Sequence, residues 1–160
     1  MSRTGVPDDA SAAHDLDFRI LGPLEVVDGA GMVLDLGSRK QRAVLALLTL
    51  SAPHVVPLDQ LIDRLWTNEL PSSATGTLQA YISQLRRVLE PWRSPRSPAR
   101  VLRTREPGYL LDIAPDQLDA NRFTRATEAA HAALAEGRPE DAGVAGHGPR
   151  LAEAGAWWFG

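Results

Sequence analysis

Residues 76–87 hold the side chains best suited to chemistry in this sequence, and that chemistry is recognition rather than bond-making. Gly76, Ala80, Ser83 and Arg87 recur at helical spacing, with Gln79, Gln84 and Arg86 at the edges of the same stripe. At about 100° per residue they fall opposite Leu78, Ile82, Leu85 and Leu89, which Tyr81 and Val88 flank. Small residues allow a helix to approach a groove closely, and amide and guanidinium groups can read base edges. An arginine-bearing face is also an ordinary solvated surface, so the surroundings must decide between the two.

Groups that would support catalysis are not assembled. The absence of cysteine excludes disulfides, Cys-ligated zinc and thiol catalysis, and it fits a reducing cytoplasm. His14, His54, His131 and His147 are far apart and match no metal-ligand spacing. There is no phosphate-cradling Walker loop and no nucleophile elbow, and the glycines between 143 and 148 have neither a lysine nor a strand to frame them. The expectation is a protein that is not an enzyme and that uses neither metal nor cofactor.

The net charge of −3 over 160 residues argues against a nucleic-acid partner until it is resolved by segment. Residues 1–17 carry one basic and four acidic side chains, and residues 116–142 carry three basic and six acidic. Residues 72–111 carry seven arginines against only Glu90 and Glu106. The positive charge is therefore concentrated around the polar helical stripe, and local charge sets the field that a phosphate backbone meets.

The elements that must position this stripe follow from periodicity. Phe18, Ile20, Leu24 and Val26, then Val33, Leu34 and Leu36, are short apolar stretches separated by Gly22-Pro23 and Asp28-Gly29, which suggests a small antiparallel sheet. Ser38 followed by Gln41 is a capping-box signature, so a helix starts there, buries Val44, Leu45, Leu47, Leu48 and Leu50, and stops before Pro53. Leu58, Leu61, Ile62, Leu65 and Trp66 predict a second amphipathic helix, with Trp66 as a core anchor. Ser72 or Ser73 is placed to cap a third helix that runs to about Glu90. After a proline-rich loop, 91–98, two strands flank Arg105-Glu106-Pro107-Gly108 as a hairpin. A last helix is expected over 116–137, with Asp119 as its cap and Phe123, Ala126, Ala130 and Leu134 as a weak apolar stripe. The longest apolar run, Ala43 to Leu50, is too short to span a membrane, and the polar, acidic N-terminal segment has no apolar core of a signal peptide.

The fold class is thus α+β, and the order of sheet, three helices and hairpin is the plan of a winged helix, with the third helix in the major groove and the hairpin on the backbone or minor groove. The residues sharpen this plan. Residues 37–48 (GSRKQRAVLALL), 61–66 (LIDRLW), 77–90 (TLQAYISQLRRVLE) and 104–111 (TREPGYLL) resemble, in order and spacing, the family of Streptomyces antibiotic regulatory proteins (SARPs). The resemblance runs without a gap from about residue 18 to 114. It implies an OmpR-type winged helix: an N-terminal antiparallel sheet, three helices and a C-terminal β-hairpin wing, plus a C-terminal helix.

That resemblance implies a sequence-specific transcriptional regulator, a SARP-type activator that binds direct repeats in promoters as two protomers side by side on double-stranded DNA. It places Gln79, Ala80, Ser83 and Gln84 at bases, and Thr75, Thr77, Arg86 and Arg87 at phosphates or bases. Arg103 and Arg105 belong to the wing, whereas Tyr109 is read as core. Arg39, Lys40 and Arg42, in the first turn of the first helix, suit a phosphate because a helix N-terminus offers unpaired N–H groups. The connection 67–73 is where OmpR-type proteins meet RNA polymerase. Residues 119–125 (DANRFTR) and 132–137 (AALAEG) resemble the start of the family's bacterial transcriptional activation domain, after which the pattern stops. The expected organisation is a disordered leader over 1–16, the winged-helix domain over 17–114, the first helix of a truncated activation domain over 115–142, and an irregular tail over 143–160. The location expected is the cytoplasm, on the nucleoid. The alternative is a winged-helix protein-interaction module, or a short form that modulates a full-length regulator.

Overall fold

A capping box opens the first helix. In the computed structural model, which describes residues 15–67 and 70–137, α1 spans Arg39–Ser51, and Ser38 stands at its N-cap. The Gln41 N–H donates to Ser38 Oγ at 3.4 Å, and the Ser38 N–H donates to Gln41 Oε1 at 2.7 Å. Gly37 precedes the cap with φ +77°, where a side chain would be strained, and a Cβ there would stand 2.6 Å from Gln41 Oε1. The helix then buries Val44, Leu45, Leu47 and Leu48, but Leu50, expected with them, is 58% exposed, because two residues beyond Leu48 lie about 200° further round the helix.

Upstream of α1, β1 (Asp17–Arg19) and β2 (Glu25–Val27) form an antiparallel pair, with Phe18 opposite Val26, whereas the stretch from Val33 to Leu36, expected in the same sheet, forms no strand and contributes a single bridge from Val33 to Val27. Phe18 and Val26 are fully buried and join one core cluster with Leu45, Leu48, Leu61, Leu78 and Leu85. Helix α2 spans Leu58–Leu65 and buries Leu61 and Leu65. Helix α3 spans Ala74–Leu89 and buries Leu78, Ile82, Leu85 and Leu89. The serine cap expected for α3 is not made: Ser73 occupies the N-cap position, but its side chain accepts no hydrogen bond. The start is held by backbone instead, with the Ala74 N–H on Pro71 O at 3.1 Å and the Thr77 N–H on Ser73 O at 2.9 Å.

The hairpin consists of β4 (Leu102–Arg105) and β5 (Gly108–Leu111), joined by Glu106-Pro107. A two-residue strand that periodicity does not signal, β3 (Val56–Pro57), adds to it and makes the sheet order β3-β5-β4. Gly108 is what allows this. A Cβ there would lie 2.0 Å from the Val56 carbonyl oxygen, so only glycine lets the two backbones meet. The wing is thereby stitched to the segment that leads into α2.

The chain after the wing folds differently from the expectation of one helix over 116–137. A 3₁₀ turn over Pro115–Gln117 comes first, then α4 over Asp119–Ala135. Asp119 is not the anticipated cap of its own helix. Its carboxylate accepts the N–H groups of Ile20 at 2.9 Å and Leu21 at 3.2 Å, beside β1, as well as that of Ala120 at 2.7 Å. Gln117 Nε2 donates to Leu16 O at 2.9 Å, and Arg122 pairs with Asp17 at 2.7 Å. Leu118 and Ala120 belong to the same core cluster as Phe18. The apolar stripe is shifted from the expected one: Ala120, Ala130 and Ala133 are buried, Phe123 and Ala126 are half-buried, and Leu134 is 54% exposed. One residue beyond Ala133 is about 100° further round the helix, which turns Leu134 outward. The expected leader, up to residue 14, and the expected tail over 143–160 lie outside the described residues.

Candidate nucleic-acid interface

Helix α3 presents the expected stripe. With its apolar side against the core, Thr75, Gly76, Gln79, Ala80, Ser83, Gln84 and Arg87 are all exposed, and Thr77 is half-buried. A Cβ at Gly76 would meet nothing within 4 Å, so the first turns of the face are low and open. Among the described residues, Arg87 has no side-chain partner, and neither do Gln79 or Ser83. An unpaired guanidinium beside small residues and an amide suits a surface that meets phosphates and base edges together.

The edges of the stripe are built differently from its centre. On the α1 side, Gln41 Nε2 donates to Gln84 Oε1, so one end of the Gln84 amide is held by the protein. On the wing side, Arg86 turns inward. Its Nε donates to Leu102 O and its Nη2 to Thr104 Oγ1, each at 2.8 Å, and the guanidinium lies 5.9 Å from the centre of the Tyr109 ring. Burial pulls this guanidinium below the ordinary arginine range, against the raising effect of Tyr109 and Glu90, though an arginine remains charged. Arg86, expected at DNA, therefore ties α3 to the wing. Tyr109 is buried, as a core residue should be.

The first turn of α1 divides in the same way. Lys40 Nζ donates to Leu65 O at 2.9 Å and sits 4.8 Å from the centre of the Trp66 ring. It closes the end of α2 instead of pointing to a ligand, and Trp66, half-buried, packs on the core as anticipated. Arg39 and Arg42 are exposed and, among the described residues, have no side-chain partner. In the wing, Arg103 pairs with Asp112, whereas Arg105 is exposed and, among the described residues, unpaired.

The sequence reading missed the arginines of the loop between α3 and β4. Glu90, 3% exposed, accepts the N–H groups of Arg100 and Val101 at 2.5 Å each, and Arg93 donates to Ser97 O at 2.7 Å. This folds the loop back against the wing and leaves a cleft of about 750 Å³ lined by Arg86, Arg93, Arg100, Arg103 and Arg105, with Asp112 as its acidic member. The signal was present in the arginine count of residues 72–111, but a proline-rich connection offers no period that would place those side chains on one surface. Among the described residues no group of His, Asp or Glu is arranged to hold a metal ion, and no helix is long and apolar enough to cross a membrane.

Known proteins resemble this chain along most of its length. Transcriptional regulatory protein MoaR1 of Mycobacterium tuberculosis is 40% identical over 136 residues, which cover 84% of this chain and 42% of MoaR1. Regulatory protein DnrI of Streptomyces peucetius is 41% identical over 116 residues, covering 71% of this chain and 42% of DnrI. The solved structure of M. tuberculosis EmbR in complex with a low-affinity phosphopeptide superposes with a TM-score of 0.74 at 36% identity, over 88% of this chain and 38% of that one. The chain thus spans about two fifths of the length of these relatives. Residues 34–111 match the family described as transcriptional regulatory protein, C terminal. The chain carries an OmpR-type winged-helix domain of that family and is a homologue of the SARP-family transcriptional regulators.

Proposed function

We propose that this chain is a sequence-specific double-stranded DNA-binding regulator that inserts α3 in the major groove and sets its wing on the flanking backbone. The observation that carries the reading is the exposed stripe of α3: Gln79, Ala80, Ser83 and Arg87 face out together, and Arg39, Arg42 and Arg105 stand exposed on the neighbouring elements. Gln79, Ala80, Ser83 and Gln84 meet bases, while Thr75, Thr77 and Arg87 reach phosphates at the rim. Two protomers bind side by side on direct repeats, as an activator of the SARP type, and the 67–73 connection faces RNA polymerase. Such a protein acts by binding and not by catalysis, and its partner places it in the cytoplasm on the nucleoid.

Selection of bound duplexes from a random pool at about physiological salt tests this. Enrichment of a short element repeated at about one helical turn is the expected result. Salt-sensitive binding with no enriched element would sink the sequence-specific reading and favour a winged helix that binds protein.

A further inference from the structure

A chain of amide contacts runs from the first helix to the recognition helix. The Ser38 N–H, a backbone donor, meets Gln41 at 2.7 Å, and only the oxygen of the Gln41 amide can accept it. The NH₂ end of Gln41 must then face α3, where it donates to Gln84 Oε1. The network itself fixes which end of each amide is which. Gln41 is 8% exposed and lies against Gly37, where any Cβ would displace it, so the relay has little room to rotate. The Gln84 carbonyl is engaged toward α1, and its NH₂ is the end left for a ligand on the exposed side of α3.

We propose that Gln41 is a positioning residue that sets the base preference of Gln84 by holding its amide with the donor end outward. The inference rests on α3 being the recognition helix. A glutamine that reads adenine by the bidentate route uses both ends of its amide, giving a proton to N7 and taking one from N6. With its carbonyl engaged, Gln84 acts as a donor. It suits major-groove edges that show only acceptors, guanine N7 and O6 or thymine O4, and it disfavours cytosine, which shows a donor there.

The test is duplex selection with the 160-residue chain and its Gln84→Ala and Gln41→Glu variants. Gln84→Ala identifies the base-pair position that Gln84 reads. In Gln41→Glu one carboxylate oxygen keeps the capping box. The other accepts but cannot donate, so Gln84 must turn its NH₂ inward and its carbonyl outward. The expected result is that this one position changes from guanine or thymine to cytosine or adenine, with a swing of roughly tenfold in base ratio, while other positions stay fixed. An unchanged preference in Gln41→Glu, or no position lost in Gln84→Ala, overturns the proposal while leaving the DNA-binding reading intact. Failure of the unmutated chain to enrich any element would instead sink that reading, and base selection by Gln84 with it. Should Gln41→Glu fail to fold, side-chain amide NMR decides. The Gln41 NH₂ protons should exchange slowly in the unmutated chain and faster in Gln84→Ala, and equal exchange in both overturns the relay.

Discussion

Arg86 and Arg87 are neighbours of identical type with different surroundings. Arg87 stands on the outer stripe of α3 with no side-chain partner among the described residues, whereas Arg86 reaches back to Leu102 and Thr104 and lies over Tyr109. The same division separates Arg39 and Arg42 from Lys40 on α1, and Arg105 from Arg103 on the wing. On each element some cations stand unpaired in solvent and others are bound to protein atoms: Arg86 and Lys40 to neighbouring elements, Arg103 to Asp112 at the end of its own hairpin. A 100° step between consecutive helical residues is enough to exchange one role for the other. Counting basic residues therefore measures the field of this surface but not which of them can meet a phosphate.

Substitutions along α3 can break this comparison. The largest effect belongs to its buried side: Leu85→Ala should cost about 2–5 kcal/mol of stability in urea denaturation, because a fully buried leucine leaves a cavity. Arg86→Ala should cost about 1–3 kcal/mol, since it removes two hydrogen bonds and leaves the Leu102 carbonyl unsatisfied. Its salt dependence of DNA affinity should keep the slope of the unmutated protein. A slope flattened by about one would show that Arg86 leaves the wing to bind phosphate. Arg87→Ala and Arg105→Ala should do the reverse: each flattens the salt slope by about one, while stability stays within about 0.5 kcal/mol. Unaltered slopes in both would mean that the open arginines are solvated surface.

The smallest effect lies at the seam between β1 and α4. Burial alone would raise the Asp17 carboxyl, but hydrogen bonds and charge from Arg19 and Arg122 outweigh it and hold it below the ordinary carboxylate range. A carboxylate depressed in the folded state stabilises above its unfolded pKa of about 4 and loses that contribution as pH falls through the folded value. Asp17→Asn should therefore lower thermal stability slightly at neutral pH, and the difference from the unmutated protein should shrink below about pH 4. A difference that persists there would assign the effect to packing.

The two halves of the molecule were not equally legible from sequence. The helices of the winged-helix core could be read because a buried stripe of leucines is a local pattern, and the Ser38–Gln41 cap lies within one helical turn. After the wing the stripe is mostly alanine, and alanine marks the buried side of a helix poorly. The Asp119 carboxylate follows the same logic. At the start of a helix it reads as a cap, yet it bonds to Ile20 and Leu21, about a hundred residues away in sequence.

By itself the sequence determined the α+β order of elements, the outward face of α3 and the concentration of arginine in residues 72–111, because each is set by neighbours within a few turns of chain. Only the tertiary structure decided that β3 pairs with the wing through Gly108, that Arg86 and Lys40 face inward, and that Gln41 holds Gln84. Those outcomes depend on which distant backbone or side chain arrives within about 3 Å, the reach of a hydrogen bond, and no periodicity along the chain encodes that distance.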